Sequence, residues 1–454
     1  MKRIFTFCTL LLALSLATKA QVSEQEFQAL KALYNSTGGD SWNNRTGWEN
    51  INTTATKDDV TTAWFGISTI TGGHITEMSL TANNLDGGIP SEIGSLTWLN
   101  WLSFYNNNLS GSIPAEFGNL INLTGFNLYQ NRLSGELPAT MSNLTDIKYV
   151  YIGVNVFNCP FPSEIISNWA HLEILDSPQN GFYGEIDLDF DLLPDLYDFN
   201  LSRNNLSGNM PAITTNTNLY SIDLSNNQLT GNLPTFEFCT NLKYINLSQN
   251  NFSGFIPASY GNSTRLSSIE LQGNFLTGII PPEIFVPALK TLLLGKNFYT
   301  FEGVEPVLTQ IQSLPSKSFL TNKLFPLSIY ELSINKGESL ALNAGLLSLY
   351  NLGGNNNRYK WFCNDVEVYS GNSPVYNVPS AGAAHAGVYR FEVTNTVVTD
   401  ITLKSENITV NIIGGNEVPT DIVLSATSVD ENFNGLVATL SAVDPDAADV
   451  HTFS

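Results

Sequence analysis

Aromatic and carboxylate side chains recur in this sequence at intervals that would line them up on one surface. Trp101, Tyr105, Tyr129, Tyr149 and Tyr151 fall two, four or six residues before a regularly repeated asparagine, and Asp176, Asp198 and Asp223 take the same places further along. If the residues before each asparagine form a strand, alternate positions share a face, and these side chains become neighbours on successive strands. Tyrosine and tryptophan rings with polar tips bind sugars or peptide side chains and concentrate in binding hot spots. Aromatics on strands also pair simply because they pack a sheet well. The binding reading is favoured here because one end of a long surface carries them. In the middle column Asp176, Asn200, Asp223, Asn246 and Glu270 follow one another. Acids there alternate with amides and lie roughly 10 Å apart at the strand spacing. Such a strip suits hydroxyls or cations, and more simply it is a soluble polar face.

The element that must position these residues is a repeated phrase. NNNLSGSIP, NRLSGELP, NNLSGNMP, NQLTGNLP and NNFSGFIP are variants of it, anchored on Asn83, Asn107, Asn131, Asn155, Asn180, Asn204, Asn227, Asn250, Asn274 and Asn297. The gaps between anchors are 23 to 25 residues. Apolar residues stand eight, five and three positions upstream, as in Leu123, Phe126 and Leu128 before Asn131; Ser177 is the clear break. A pair spaced by two predicts a short strand, and one strand per coil predicts parallel strands roughly 4.8 Å apart. The asparagine amide is placed to bond backbone groups that would otherwise be buried without partners. Glycine follows four residues later in eight of ten copies, at a position suited to positive φ. Proline follows three further on in eight of ten, pre-setting an extended backbone. No single coil can bury its own leucines, so stability must come from stacking neighbours.

This phrase resembles the leucine-rich repeat, in the LxxLxLxxNxLxGxIP form of plant receptor ectodomains and polygalacturonase-inhibiting proteins. The resemblance spans residues 75–304. It implies a parallel-β solenoid with short helical or 3-10 turns on its convex side, and it puts the aromatic and carboxylate columns on the concave face. Residues 21–74 are expected to be an N-terminal cap. Ser23 and Glu26 form a capping box there, Phe27, Leu30 and Tyr34 line one helix face, and Trp42, Trp48 and Trp64 complete the lid. In residues 64–69, WFGIST, Ser68 stands where the plant WxGVxC pattern has cysteine, which argues for a bacterial surface or secreted protein. Residues 305–326 are expected to close the other end.

Residues 1–20 read as a secretory signal peptide, with Lys2 and Arg3 before an apolar run too short to span a bilayer. No other stretch is a candidate transmembrane segment. The formal charge is −21, and removing Lys2, Arg3 and Lys19 leaves −24. Such a surface repels phosphate backbones and argues against nucleic acid as a partner. Cys159 and Cys239 are about three coils apart, hence roughly 15 Å, too far for a disulfide.

From about residue 327 the pattern changes to short alternating strands. YKWFCND at 359–365 and HAGVYRFEVTN at 385–395 resemble the core tryptophan and tyrosine corner of an immunoglobulin-like β-sandwich, placed at 327–413. Phe391 stands where that family has its second cysteine, and His385 where it has aspartate. Residues 417–454 resemble the start of a cadherin-like domain, with seven acids and no Lys or Arg. The resemblance implies calcium on Glu431, Asp444 and Asp446, since oxygen ligands suit Ca²⁺. GGNEVP at 414–419 lacks the family's junction ligands, and a solvated acidic hairpin explains the acids equally well. The sequence is expected to be part of a longer surface protein.

Catalysis finds little support. His74, His171, His385 and His451 fall in different modules, and there is no HExxH, GxSxG or phosphate loop. The expected function is non-catalytic recognition or adhesion outside the cell, with a protein or glycan ligand on the concave face. An inhibitor of secreted polysaccharide-degrading enzymes, or the non-catalytic part of a larger surface enzyme, are the rival readings.

Overall fold

The computed structural model describes residues 22–319, 324–348, 352–399 and 401–414, together with the strands 421–424 and 440–443. Two units are distinguished by their internal contacts. One comprises most of residues 22–274 with 281–293 and 314–317, and the other 275–280, 294–313 and the chain beyond 318.

The first unit begins with helix Glu24–Ser36, opened by the expected capping box: Glu26 N donates to Ser23 Oγ (3.2 Å) and Ser23 N to Glu26 Oε2 (2.8 Å). Phe27, Leu30, Leu33 and Tyr34 are buried, and Tyr34, Trp42, Trp48 and Trp64 form a chain of ring contacts with centroids 5.0–6.3 Å apart. Glu26 is almost wholly buried yet fully used, since it also accepts from Ile75 N at 3.0 Å and lies 3.3 Å from His74 Nδ1. An antiparallel hairpin, Ile67–Thr71 with His74–Ser79, was not foreseen from the sequence. It pairs the first edge of the sheet, which would otherwise expose unpaired backbone.

From His74–Ser79 the sheet runs in strict register through Trp101–Ser103, Gly125–Asn127, Tyr149–Tyr151, Ile174–Asp176, Asp198–Asn200, Ser221–Asp223, Tyr244–Asn246 and Ser268–Glu270 to Thr291–Leu293, all parallel. Equivalent residues of each coil therefore face one another. The anchoring asparagines are the reason the register holds. Asn204 Oδ1 accepts from the backbone of Asn180 and Phe182, both at 3.0 Å, and its Nδ2 donates to Ser177 O and Leu201 O, both at 3.0 Å. Ser177, the break in the apolar pattern, is buried and satisfied, because its Oγ accepts from Asn180 Nδ2 at 2.8 Å.

The eight glycines four residues after the anchors all have φ between 76° and 129°. Cys159 fills that place in the fourth copy; burial raises its thiol to about 11 and that of Cys239 to about 12, and both are free. A feature the sequence did not announce lies one residue before each anchor. There Ala82, Asn106, Gln130, Val154, Gln179, Arg203, Asn226, Gln249 and Lys296 are left-handed, with φ of 52–59°. This conformation costs an L-residue roughly 1–2 kcal/mol. The backbone and asparagine bonds that surround the turn hold it in place. Pro90, Pro114, Pro138 and Pro257 precede 3-10 turns in extended conformation.

In the second unit, helical turns run over Phe301–Val304, Glu305–Val307 and Leu308–Ser313, burying Phe301, Val304, Val307 and Ile311. They begin where the tenth copy has lost its glycine. Beyond them the strands Glu331–Asn335, Ile408–Ile413, Gly387–Asn395, Asn357–Cys363 and Val366–Gly371 form one sheet in that order, with Thr402–Lys404 on Gly387–Asn395. Leu340–Asn343 pairs separately with Val375–Val378. Trp361 is fully buried with its ring 5.0 Å from Phe391, and Tyr389 OH donates to His385 O at 2.9 Å. His385 Nδ1 accepts from Gly382 N, closing the local turn. Asn356 and Asn395 both donate to the Glu305 carboxylate, which ties the helical turns to these strands. Asp421–Leu424 pairs antiparallel with Leu440–Val443. Among the described residues no helix is long and apolar enough to cross a membrane.

Candidate functional site

The register of the sheet brings the aromatic residues together in two pairs. Trp101 and Tyr149 stand two coils apart with Gly125 between them in the same column. Their ring centroids are 6.5 Å apart, and a Cβ on Gly125 would lie 2.4 Å from Trp101 Cζ3. The Trp101 ring thus lies across a backbone that only glycine leaves bare. Tyr105 and Tyr129 form the second pair at 6.2 Å. Gly153 leaves room for Tyr129 in the same way, since a Cβ there would meet Tyr129 Cε2 at 2.4 Å and Pro178 Cδ at 2.5 Å. All five aromatics are half-buried. Tyr149 is turned toward a different task, because its OH donates to Glu173 Oε2 at 2.9 Å while Lys148 Nζ holds Oε1 at 3.0 Å.

The carboxylates gather around Asp176. Asn200 Nδ2 donates to Asp176 Oδ1 at 2.8 Å, and Asn246 Nδ2 to Asp223 Oδ2 at 3.2 Å. Each amide therefore donates to the acid of the preceding coil instead of merely spacing it, and its oxygen accepts from the serine two residues on. Burial, then the charge of Asp198, raises the Asp176 carboxyl from 3.8 to about 6 against the lowering effect of Asn200. Asp198 is also raised, mainly by burial. The tyrosines feel the same environment: burial and then Asp176 raise Tyr151 and Tyr129.

A shallow cavity of about 480 Å³ joins the two groups, lined among others by Tyr129, Pro178, Asn200, Arg203, Asp223 and Glu270. Arg203 was not found from the strand columns. It occupies the left-handed position before Asn204, and this conformation turns its side chain into the groove. Long polar residues recurring at that position (Gln130, Gln179, Gln249) were the available signal. Gly125 was likewise missed, because alternation reports which side chains share a face and not which gaps they fill. Glu431, Asp444 and Asp446 lie outside the described residues.

Two stretches of the chain, residues 98–120 and 217–276, match leucine-rich repeat family models. Those stretches of the solenoid are therefore leucine-rich repeats. Solved structures similar to the chain include a TDR receptor, 29% identical with a TM-score of 0.49, where the match covers 55% of this chain and 43% of that one. A plant ice-binding protein is 22% identical with a TM-score of 0.46, over 66% of this chain and 96% of the other. The leucine-rich repeat ectodomain of the Arabidopsis thaliana receptor kinase GASSHO1/SCHENGEN3 is 26% identical with a TM-score of 0.36, over 54% and 35%. This chain thus spans less than half the length of the TDR receptor chain. No curated protein matches it significantly.

Proposed function

We propose that the chain is a non-catalytic recognition or adhesion protein acting outside the cell, secreted or held at a bacterial surface. Its solenoid binds a carbohydrate or protein ligand on the solvent face of the sheet. The observation that carries this reading is the way two aromatic rings are laid over bare glycine backbone. Packing alone is served as well by a side chain at 125 or 153, whereas glycine there lets the Trp101 and Tyr129 rings lie against bare backbone, Tyr129 at the rim of a polar groove. Rings held by neighbours lose little conformational freedom on binding, which favours recognition. In this reading the immunoglobulin-like strands at 327–413 and the cadherin-like segment at 417–454 are a spacer that carries the solenoid outward.

The test is a glycan and peptide array probed with the chain beside a Tyr105→Ala/Tyr129→Ala variant. Binding that the double change abolishes, with unfolding unaltered, supports the reading. A ligand whose affinity is indifferent to both changes overturns the placement of the site.

A further inference from the structure

We propose that a second site lies along the edge of the same sheet, where Tyr197, Tyr220, Lys243 and Tyr244 bind an acidic polysaccharide through its uronate carboxylates. This inference does not rest on the aromatic face of the earlier coils.

Seven residues before each anchor, successive coils are linked by their backbones. Tyr220 N donates to Tyr197 O and Lys243 N to Tyr220 O, both at 2.8 Å, and Ser267 and Lys290 continue the column at 2.9 Å each. The side chains therefore stand in single file at one coil per step. The Tyr197 and Tyr220 rings are stacked, 4.8 Å apart and 9° from parallel. Tyr244 meets Tyr220 edge-on at 5.6 Å. Lys243 Nζ donates to Tyr220 OH at 2.9 Å and sits 4.9 Å from the Tyr244 ring centroid. Lys243 interacts with Tyr244 as well, and the Tyr220 hydroxyl is shared with Tyr244, so the ammonium is held between two phenols with one of its three protons left for an anion. Tyr197 and Tyr244 are 43% and 40% exposed, so the row is open to solvent.

The charge pattern names the partner's sign. Acids outnumber bases 41 to 20 in this chain. Among the described residues, however, Lys243, Arg265 and Lys290 form no ion pair, although Lys148, earlier in the same column, is paired with its neighbour there, Glu173. Arg265 and Lys290 are exposed. Three cations outside any ion pair, in and beside a row of phenols that begins next to Glu173, make an anion-binding patch in an otherwise repulsive surface.

The spacing names the class. Donors recur at the parallel-strand distance, about 4.8 Å, whereas an extended peptide returns a side chain to the same face only every ~6.7 Å. An acidic peptide would fall out of step within two coils. A chain of linked pyranoses advances about one ring per coil, so ring after ring lies beside the row, and the uronate carboxylates that turn toward it reach the unpaired cations. The exposed tyrosine rings also offer surface to the sugars' C–H faces.

The experiment measures binding of the full chain to alginate and polygalacturonate oligosaccharides, neutral manno-oligosaccharides and poly-L-glutamate by calorimetry. At least one uronate series should bind. Lys243→Met should weaken it at least tenfold, Tyr220→Phe should weaken it severalfold, and Lys243→Arg should retain it, with unchanged urea midpoints. Neutral sugars should bind no better than the Lys243→Met variant binds uronate. Failure of both uronates, indifference to Lys243→Met and Tyr220→Phe, or equal affinity for poly-L-glutamate would overturn the proposal, the last by making the edge a dock for acidic protein.

Discussion

Asp176 gives the sharpest test of the idea that the polar strip is held for binding at some cost to stability. Its carboxyl is raised from 3.8 to about 6 because burial and Asp198 oppose its charge more than Asn200 supports it. The folded state therefore holds the proton more tightly than the unfolded chain. Between those two values folding takes up a proton, so stability falls as pH rises through the window and stays lower above it. A shift of about two units corresponds to about 3 kcal/mol at most. Because the side chain keeps some contact with solvent, which screens it, the effect expected is about 1–2 kcal/mol. Asp176→Asn removes the charge and keeps an oxygen to accept from Asn200. Urea unfolding of the two proteins should differ little at pH 4, with the variant gaining about 1–2 kcal/mol by pH 8. A difference that stays constant with pH, or a variant less stable at pH 8, would refute the reasoning. A gain in stability with a loss of ligand binding is the pattern expected of a functional carboxylate.

Asn204→Ala should be costly although it removes few atoms. It leaves the buried N–H groups of Asn180 and Phe182 unbonded, each worth roughly 1–3 kcal/mol, while Ser177 O and Leu201 O keep the Nδ2 groups of Asn180 and Asn227, so a loss above about 2 kcal/mol is expected in urea denaturation; a loss below about 1 kcal/mol would remove the asparagine ladder as the source of register. For the C-terminal segment, calcium held by Glu431, Asp444 and Asp446 is expected to raise its melting temperature. Calorimetric scans with and without EDTA, on wild type and Glu431→Gln, check this, and identical traces would strike those residues from the site.

How the surface is built can be read from the residues alone. A spacing of 23 to 25 residues, an apolar pair at strand spacing, and an asparagine, glycine and proline at fixed offsets leave the backbone one economical solution: parallel strands in register. These signals are local, each residue type being required by its own backbone group or dihedral angle, so they can be read without knowing the neighbours. The pairing of Tyr105 with Tyr129 was legible for the same reason, since equal offsets on adjacent coils must meet. The remaining features arise from packing between coils. Trp101 lies over Gly125, Tyr149 turns to Glu173, and Asp176 is made less acidic by burial and then by Asp198 from the next coil. Arg203 enters the groove from a left-handed residue, and Lys243 settles on Tyr220 at the sheet's edge. Each of these depends on which rotamer fills the space that a neighbour some 24 residues away leaves open. Alternation along a strand gives the face of a side chain, and the side chains of the adjacent coils decide where on that face it comes to rest.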